Sequence, residues 1–421
     1  MKKILTIILL GLLISILLNF YYIKKFDNYD PTVSSQNQHF MIKSDPEKFW
    51  LRAHNLKAQL INGKNFFETG DEYRIPYLPS KIIYLFSLIT NDKFYDQENL
   101  TIIKESYNGK FQERKIALDN KKVFFLIFQS FFYYLSLFFL YSKIRNRIDA
   151  NSSLYLILFL SLEPTIMLFH SSFWSESIFF TLLIFLIALV FENKIANIRN
   201  LIIGLLLGLL FLQRSIAIYY FVILIIYYIC IFKRSSLRPI FFTLLGYLMV
   251  VLFIGFHNYK RSDNFYVQPT QAKDGFYVYL VPMILSSSKK ISTNEVKTIL
   301  NNDLNEWIVK NDINLENESD RLIYYNYLQK KSFQIIIKNP FITFKLIFKK
   351  TLHYFVLDPL RHVHYFYKFD LRKQNSFYKT ELADNMVIPR IVYSFLIYSI
   401  ILIGFISVIK KKKTLCLLFF Y

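Results

Sequence analysis

LIIGLLLGLLFLQRSIAIYYFVILIIYYICIF, residues 201–232, is the stretch that decides how this chain is folded. It is apolar almost throughout and is interrupted only by Gln213-Arg214-Ser215. A helix needs about 20 apolar residues to cross the hydrocarbon core of a bilayer. The stretch therefore reads either as one long crossing or as two short helices, Leu201–Leu212 and Ile216–Phe232, that turn back at Arg214.

The charges on either side choose between these readings. Further apolar runs fall at Ile4–Tyr22, Val123–Tyr141, Ser153–His170, Phe173–Phe191, Ile240–Phe256 and Ile391–Ile409. With two short helices, one set of connections carries Lys2 and Lys3, then Lys143, Arg145 and Arg147, Lys194 and Arg199, Lys233, Arg234 and Arg238, and finally Lys410 to Lys413. The short turn near His170 on the other side has no Lys or Arg. That asymmetry is the positive-inside bias, with the N-terminus cytoplasmic. A single crossing over residues 201–232 would send Lys410 to Lys413 to the outer side, so the two short helices are preferred.

The expected fold is thus all-α: a polytopic transmembrane helical bundle of about eight spans with two large outer loops containing juxtamembrane amphipathic helices. Residues 1–22 form the first span, 23–122 the first outer loop, 123–257 the transmembrane core, 258–390 the second outer loop with an interfacial helix, and 391–421 the last span and basic tail. No small-residue cleavage site follows Ile4–Tyr22, where Tyr21-Tyr22-Ile23-Lys24 is bulky, so the first span reads as uncleaved. The C-terminal residues 410–421, KKKKTLCLLFFY, read as a further span begun and not finished, or as a membrane-dipping tail.

Composition agrees. Of 421 residues, 54% are hydrophobic and 19% aromatic, with 44 Phe and 31 Tyr. The net charge is +21, from 51 Lys and Arg against 30 Asp and Glu. Because the basic residues lie between apolar spans, lipid headgroups and phosphate-bearing substrates are the expected partners, and not nucleic acid. The two cysteines, Cys230 and Cys416, sit in or beside apolar stretches and imply neither a disulfide framework nor a zinc site. The N-terminal pattern and the wealth of Lys, Ile, Asn, Phe and Tyr point to a bacterial cytoplasmic membrane.

The outer loops hold the candidate chemistry. Phe341–Phe355 follows Asn339-Pro340 and places Lys345, Lys349 and His353 on one stripe, with Phe, Ile and Leu filling the rest, as in an interfacial helix. Ile75–Ile89 is similar, with Pro76 and Pro79 setting its entry. Residues 286–319 are polar and Asn-rich, with helical periodicity around Val296–Ile308. Asp45 opens an amphipathic stretch: it suits a helix N-cap, Pro46 suits the first helical turn, and Ser44 with Glu47 fits a capping box. A carboxylate held at a helix start on a membrane surface is equally suited to act as a general base.

Asp45-x3-Phe49-x3-Ala53-x2-Leu56, followed by Arg74-Ile75-Pro76-Tyr77-Leu78-Pro79, resembles the first outer loop of the GT-C glycosyltransferases. These polytopic enzymes use polyprenyl-phosphate sugars and include the protein O-mannosyltransferase and aminoarabinose transferase groups. Glu163-Pro164 with Ser175-Glu176-Ser177-Ile178-Phe179 is similar to a Pro…Ser-Glu-x-x-Phe span of bacterial members. Gly204-x3-Gly208 leading to Gln213-Arg214-Ser215 resembles their Gly-rich helix ending in Arg. His257-Asn258-Tyr259 with Phe265 resembles the Arg-Asn-Tyr opening of the late outer loop, with His in place of Arg. The resemblance runs from Lys43 to Phe355.

It implies that Asp45 is the catalytic base for an acceptor hydroxyl, in an inverting transfer from a polyprenyl-phosphate sugar to a protein, lipid or glycan at the outer face of the membrane. Cations must receive the phosphate, for which Arg is well shaped; Arg74, Arg214, and His257 with Lys260 or Arg261 are the candidates. Arg74 also reads as a solvated loop charge and Arg214 as a snorkelling one. Glu176, one turn into its span, is a structural or acceptor-site candidate together with Glu47. Glu163 also reads as a stabiliser of a kink at Pro164. The Gly204/Gly208 pair reads as helix packing. Tyr354–Phe369 reads as an aromatic belt or a sugar-stacking surface. No Asp-x-Asp motif is present; Asp45-Pro46-Glu47 is compatible with a divalent metal, but nothing indicates one, and no cofactor is implied. His353, His362 and His364 lack acidic neighbours at ligand spacing. The competing classes are a transporter or flippase of lipid-linked sugars, and a polymerase or ligase using diphosphate-linked glycans. The scarcity of intramembrane charge and the absence of internal repeats speak against transport.

Overall fold

The computed structural model describes residues 2–27, 45–69, 76–91, 120–145, 149–171, 173, 175–192, 196–357 and 392. Among these residues the chain is helical, without a strand. Among the described residues, three stretches are long and apolar enough to cross a membrane by length and composition: Lys2–Tyr21, Val123–Ile144 and Ser215–Ser262. Shorter apolar helices cover Tyr77–Thr90, Ala150–Leu162, Ser175–Val190 and Asn197–Gln213.

The bundle is built from α1 (Lys2–Asp27), α4 (Asn120–Ile144), α5 (Ala150–Leu162), α6 (Pro164–His170), α7 (Ser175–Val190), α8 (Asn197–Gln213), α9 (Ile218–Phe232) and α10 (Leu237–Ser262), with α2 (Asp45–Ile61) and α3 (Tyr77–Thr90) inserted between the first two. Side-chain pairings give the direction of each helix. Ser15 Oγ donates to Ser130 Oγ at 3.1 Å and Gly11 lies against Tyr134, so α1 and α4 are antiparallel. Gln129 Nε2 donates to the His170 carbonyl at 2.8 Å, and Lys143 Nζ meets Glu192 Oε1 at 3.1 Å, so α7 follows α4 in parallel. The side-chain amide of Gln213 donates to the Ser175 carbonyl, which sets the end of α8 against the start of α7.

Residues 201–232 do turn back on themselves. Gly204 meets the backbone of Thr243 and Tyr247, and Gly208 meets Val250, so α8 and α10 run the same way. The helix between them must then run the other way. Tyr228 Oη lies 3.3 Å from Asn200 Oδ1, while Phe221 stacks on Tyr247 at 5.1 Å, which sets α9 antiparallel to both. Ser215–Ser262 is therefore not one rod. Lys233, with φ 48° and ψ −119°, breaks it. The contact between α8 and α10 is close because Gly204 and Gly246 present no Cβ: one built on Gly204 would sit 2.1 Å from the Thr243 carbonyl oxygen, and one on Gly246 2.2 Å from that of Leu201. Small residues at such crossings let backbones approach and gain packing where water gives no drive to associate.

Ser153–His170, read above as one span, is two helices. Pro164 has no N–H and its ring disfavours a helical residue before it. Glu163 is accordingly extended, with φ −63° and ψ 115°, and its Oε2 accepts from the Ile166 N–H at 2.6 Å, satisfying one of the free donors at the start of α6.

These directions sort the ends of the bundle. Lys2, Lys3, Lys143, Arg145, Arg199, Lys233, Arg234 and Arg238 gather at one end, beside Glu192 and Asp149. The start of α7, the end of α8 and the end of α10 lie at the other. From there the chain enters a lobe of α11 (Val281–Lys289), α12 (Thr293–Lys310) and α13 (Glu318–Lys338), followed by α14 (Pro340–Leu357). Helix α12 begins with a complete capping box between Ser292 and Glu295 and turns Val296, Leu300 and Leu304 inward. It packs with Tyr277, Val281, Tyr324, Tyr325 and Leu328 into a core of its own.

Candidate functional site

Glu176 stands in the first turn of α7, and Arg214 is the residue at which α8 leaves helical geometry, with φ −153° and ψ 125°. Arg214 Nη2 and Glu176 Oε1 form an ion pair. Ser175 Oγ donates to Glu176 Oε2 at 3.2 Å, and Arg214 Nε reaches Ser175 Oγ at 3.5 Å. The Glu176 side chain is 13% exposed and that of Arg214 41%. The acid is thus largely withdrawn, while the arginine side chain is only half-buried. A negative side chain in a helix's first turn is also favoured by the free N–H groups there.

The end of α10 supplies a second group. His257 is buried, boxed by the Phe66 and Tyr77 rings at centroid distances of 5.8 and 5.7 Å. Lys81 of α3 lies over the Tyr77 ring at 4.8 Å, and Lys260 over Phe256 at 5.7 Å. Tyr77 and Leu78 pack against the core cluster containing Leu210, Phe211, Leu212 and Ile254, which places this group at the same end as Arg214. Arg261 is held differently. Its Nη1 and Nη2 donate to Glu318 Oε2 and Oε1 at 2.7 and 2.6 Å, and Nη2 also meets Tyr266 Oη at 2.7 Å. Burial alone would raise the Glu318 carboxyl, yet the Arg261 guanidinium, with the Tyr266 and Ser262 hydroxyls, holds it below the usual carboxylate range. This bidentate pair ties the end of α10 to the start of α13.

Helix α2 is the third component. Asp45 begins it, and residues 45, 52 and 59 recur every seven positions along one side. The amphipathic stretch is enclosed on its polar positions as well. Phe49, Trp50, Ala53, Arg52, His54, Asn55 and Gln59 are all buried, because α3 and the start of α4 cover it. Trp50 packs on Phe173 at 5.2 Å, two residues before α7, so α2 lies beside the Glu176 end of the bundle. The side chains of Asp45, Glu47 and His353, and residues Arg74, Arg147, Lys194, His362, His364 and 393–421, lie outside the described residues.

The sequence pattern drew attention to the apolar positions of α2 and passed over its buried Arg52, His54, Asn55 and Gln59. Four polar residues within a helix that also carries Phe, Trp and Leu were the available signal. Glu318 had no local signal, since it meets Arg261 across 57 residues. Among the described residues, no three His, Cys, Asp or Glu side chains gather as a metal ion would need. Comparison of the chain with protein-family models, with curated proteins and with solved structures finds no match.

Proposed function

We propose that this chain is an integral membrane glycosyltransferase of the GT-C type. It would cross the cytoplasmic membrane of a bacterium about eight times, with its N-terminus inside and its site at the outer face. The observation that carries the reading is the Glu176–Arg214 pair: a half-buried arginine braced by a withdrawn carboxylate, at the end of the bundle opposite the basic one, beside the helix that Asp45 begins. The basic end suits the cytoplasmic side. The alternating directions of the α5–α6 pair and of the short helices α7, α8 and α9 support that number of crossings.

In this reading an acceptor hydroxyl attacks the anomeric carbon of a polyprenyl-phosphate sugar from the face opposite the phosphate. Asp45 takes the hydroxyl proton as the new C–O bond forms. The bond from the anomeric carbon to the phosphate oxygen breaks, the configuration inverts, and polyprenyl phosphate leaves as an anion. Arg214 and Arg74 stabilise that charge as it develops, with His257 and Lys260 on the neighbouring helix end, while Arg261 is taken up by Glu318. The donor is held in the bilayer by its lipid, so no nucleotide-binding fold is called for.

Supplying membranes with matched polyprenyl-monophosphate and polyprenyl-diphosphate sugars tests the donor class. Transfer from the monophosphate alone supports the reading. Transfer from the diphosphate alone replaces it with a polymerase or ligase, and movement of the intact lipid-linked sugar without transfer replaces it with a flippase.

A further inference from the structure

Helix α14 is apolar on its outward side as well as its inward one, unlike the usual helix on a protein surface. Such a helix normally turns its apolar stripe inward and its charges to water. Here the inward side, against α11 and α13, is made by Ile342, Leu346 and the buried Thr343. Phe341, Phe344 and Phe348 lie on the opposite side and are 88, 71 and 55% exposed. The Phe344 and Phe348 rings stack at 6.1 Å, and exposed Ile337 continues the strip onto the end of α13. Lys345 and Lys349 flank the phenyl rings, with Lys338 and Lys350 nearby, all exposed. From residue 321 to residue 357 the sequence holds no Asp or Glu.

An outward strip of aromatic rings bordered by lysines matches the boundary between acyl chains and anionic headgroups. A second copy of the same face would set lysine against lysine with no acid between them. We propose that α14, with the end of α13, lies on an anionic bilayer surface and ties the α11–α13 lobe to it. The phenyl rings enter the acyl boundary and the lysines meet lipid phosphates. This docking does not depend on which reaction the bundle performs.

The test uses the full chain with Cys230→Ser and Cys416→Ser, spin-labelled at Phe344→Cys, in single-copy nanodiscs of phosphatidylcholine with or without phosphatidylglycerol. Accessibility of the label to dissolved oxygen is compared with accessibility to an aqueous nickel chelate, and a label at Phe341→Cys repeats the measurement should the first site disturb folding. With phosphatidylglycerol the label is expected to favour oxygen several-fold over the chelate. Lys345→Glu with Lys349→Glu should abolish that preference while leaving the phosphatidylcholine value unchanged. A label open to the chelate in both lipids overturns the proposal. So does equal protection in the two lipids, or protection that arises only with two copies per disc, which would assign the strip to a second copy.

Discussion

The Glu176 carboxylate and the Arg214 guanidinium, 38 residues apart in the chain, meet where α7 begins and α8 ends. Their exposures differ about threefold, at 13% and 41%, and this makes the pair asymmetric. Removing the arginine takes the ion-pair partner from a carboxylate mostly withdrawn from water, whereas removing the acid leaves an arginine side chain that is only half-buried. Arg214→Met should therefore cost about 2 kcal/mol and Glu176→Gln less than about 1 kcal/mol, with a coupling in the double variant of about 1 kcal/mol. Denaturant or thermal unfolding of the four proteins in micelles measures all three quantities. Equal losses from the two single variants would contradict the asymmetry.

The α8–α10 contact makes a second prediction. Gly204→Ala places a methyl group against the Thr243 carbonyl, a backbone atom that cannot swing away. The two helices must separate, at about 1–3 kcal/mol for overpacking. Gly63→Ala, by contrast, meets nothing within 4 Å but is strained by φ 86° at the end of α2, so it loosens a turn without touching the bundle. Melting curves should show the Gly204 variant unfolding at lower temperature, with fluorescence of the bundle changing in the same transition.

The Arg261–Glu318 bridge carries a pH signature. The Glu318 carboxyl is held below its ordinary range in the folded chain, so its contribution is full above the unfolded value and is lost as pH falls through the folded one. The stability difference between the wild type and Glu318→Gln should be largest near neutrality and shrink on acidification. A difference that is constant from neutral to strongly acid pH would show that the bridge does not hold the α13 lobe.

Local features of the fold were legible because they are written locally. The periodicity around Val296–Ile308 marks α12, Pro340 the start of α14, and Arg214 between two apolar runs the reversal of the chain. The break at Glu163-Pro164 was visible as a proline but was absorbed into one span, since apolar periodicity continues across it. What is brought together from afar was not legible. Nothing near Glu176 names Arg214 as its partner, and nothing near Arg261 names Glu318. The burial of α2 depends on α3 lying over it, so the helix reads in sequence as an amphipathic stretch while its Arg52, His54, Asn55 and Gln59 are enclosed.

The central claim is that Asp45 takes the proton from an acceptor during sugar transfer from a polyprenyl-phosphate carrier. Membranes bearing the wild type or Asp45→Asn, with equal amounts of folded protein, are incubated with radiolabelled polyprenyl-monophosphate sugars, and released polyprenyl phosphate is counted. Turnover in the wild type with a loss of at least ~100-fold in the variant is the predicted result, in keeping with the contribution of a positioned general base. Turnover in Asp45→Asn close to wild type would remove Asp45 from the chemistry, and no turnover from folded wild type with any donor would contradict the account as a whole.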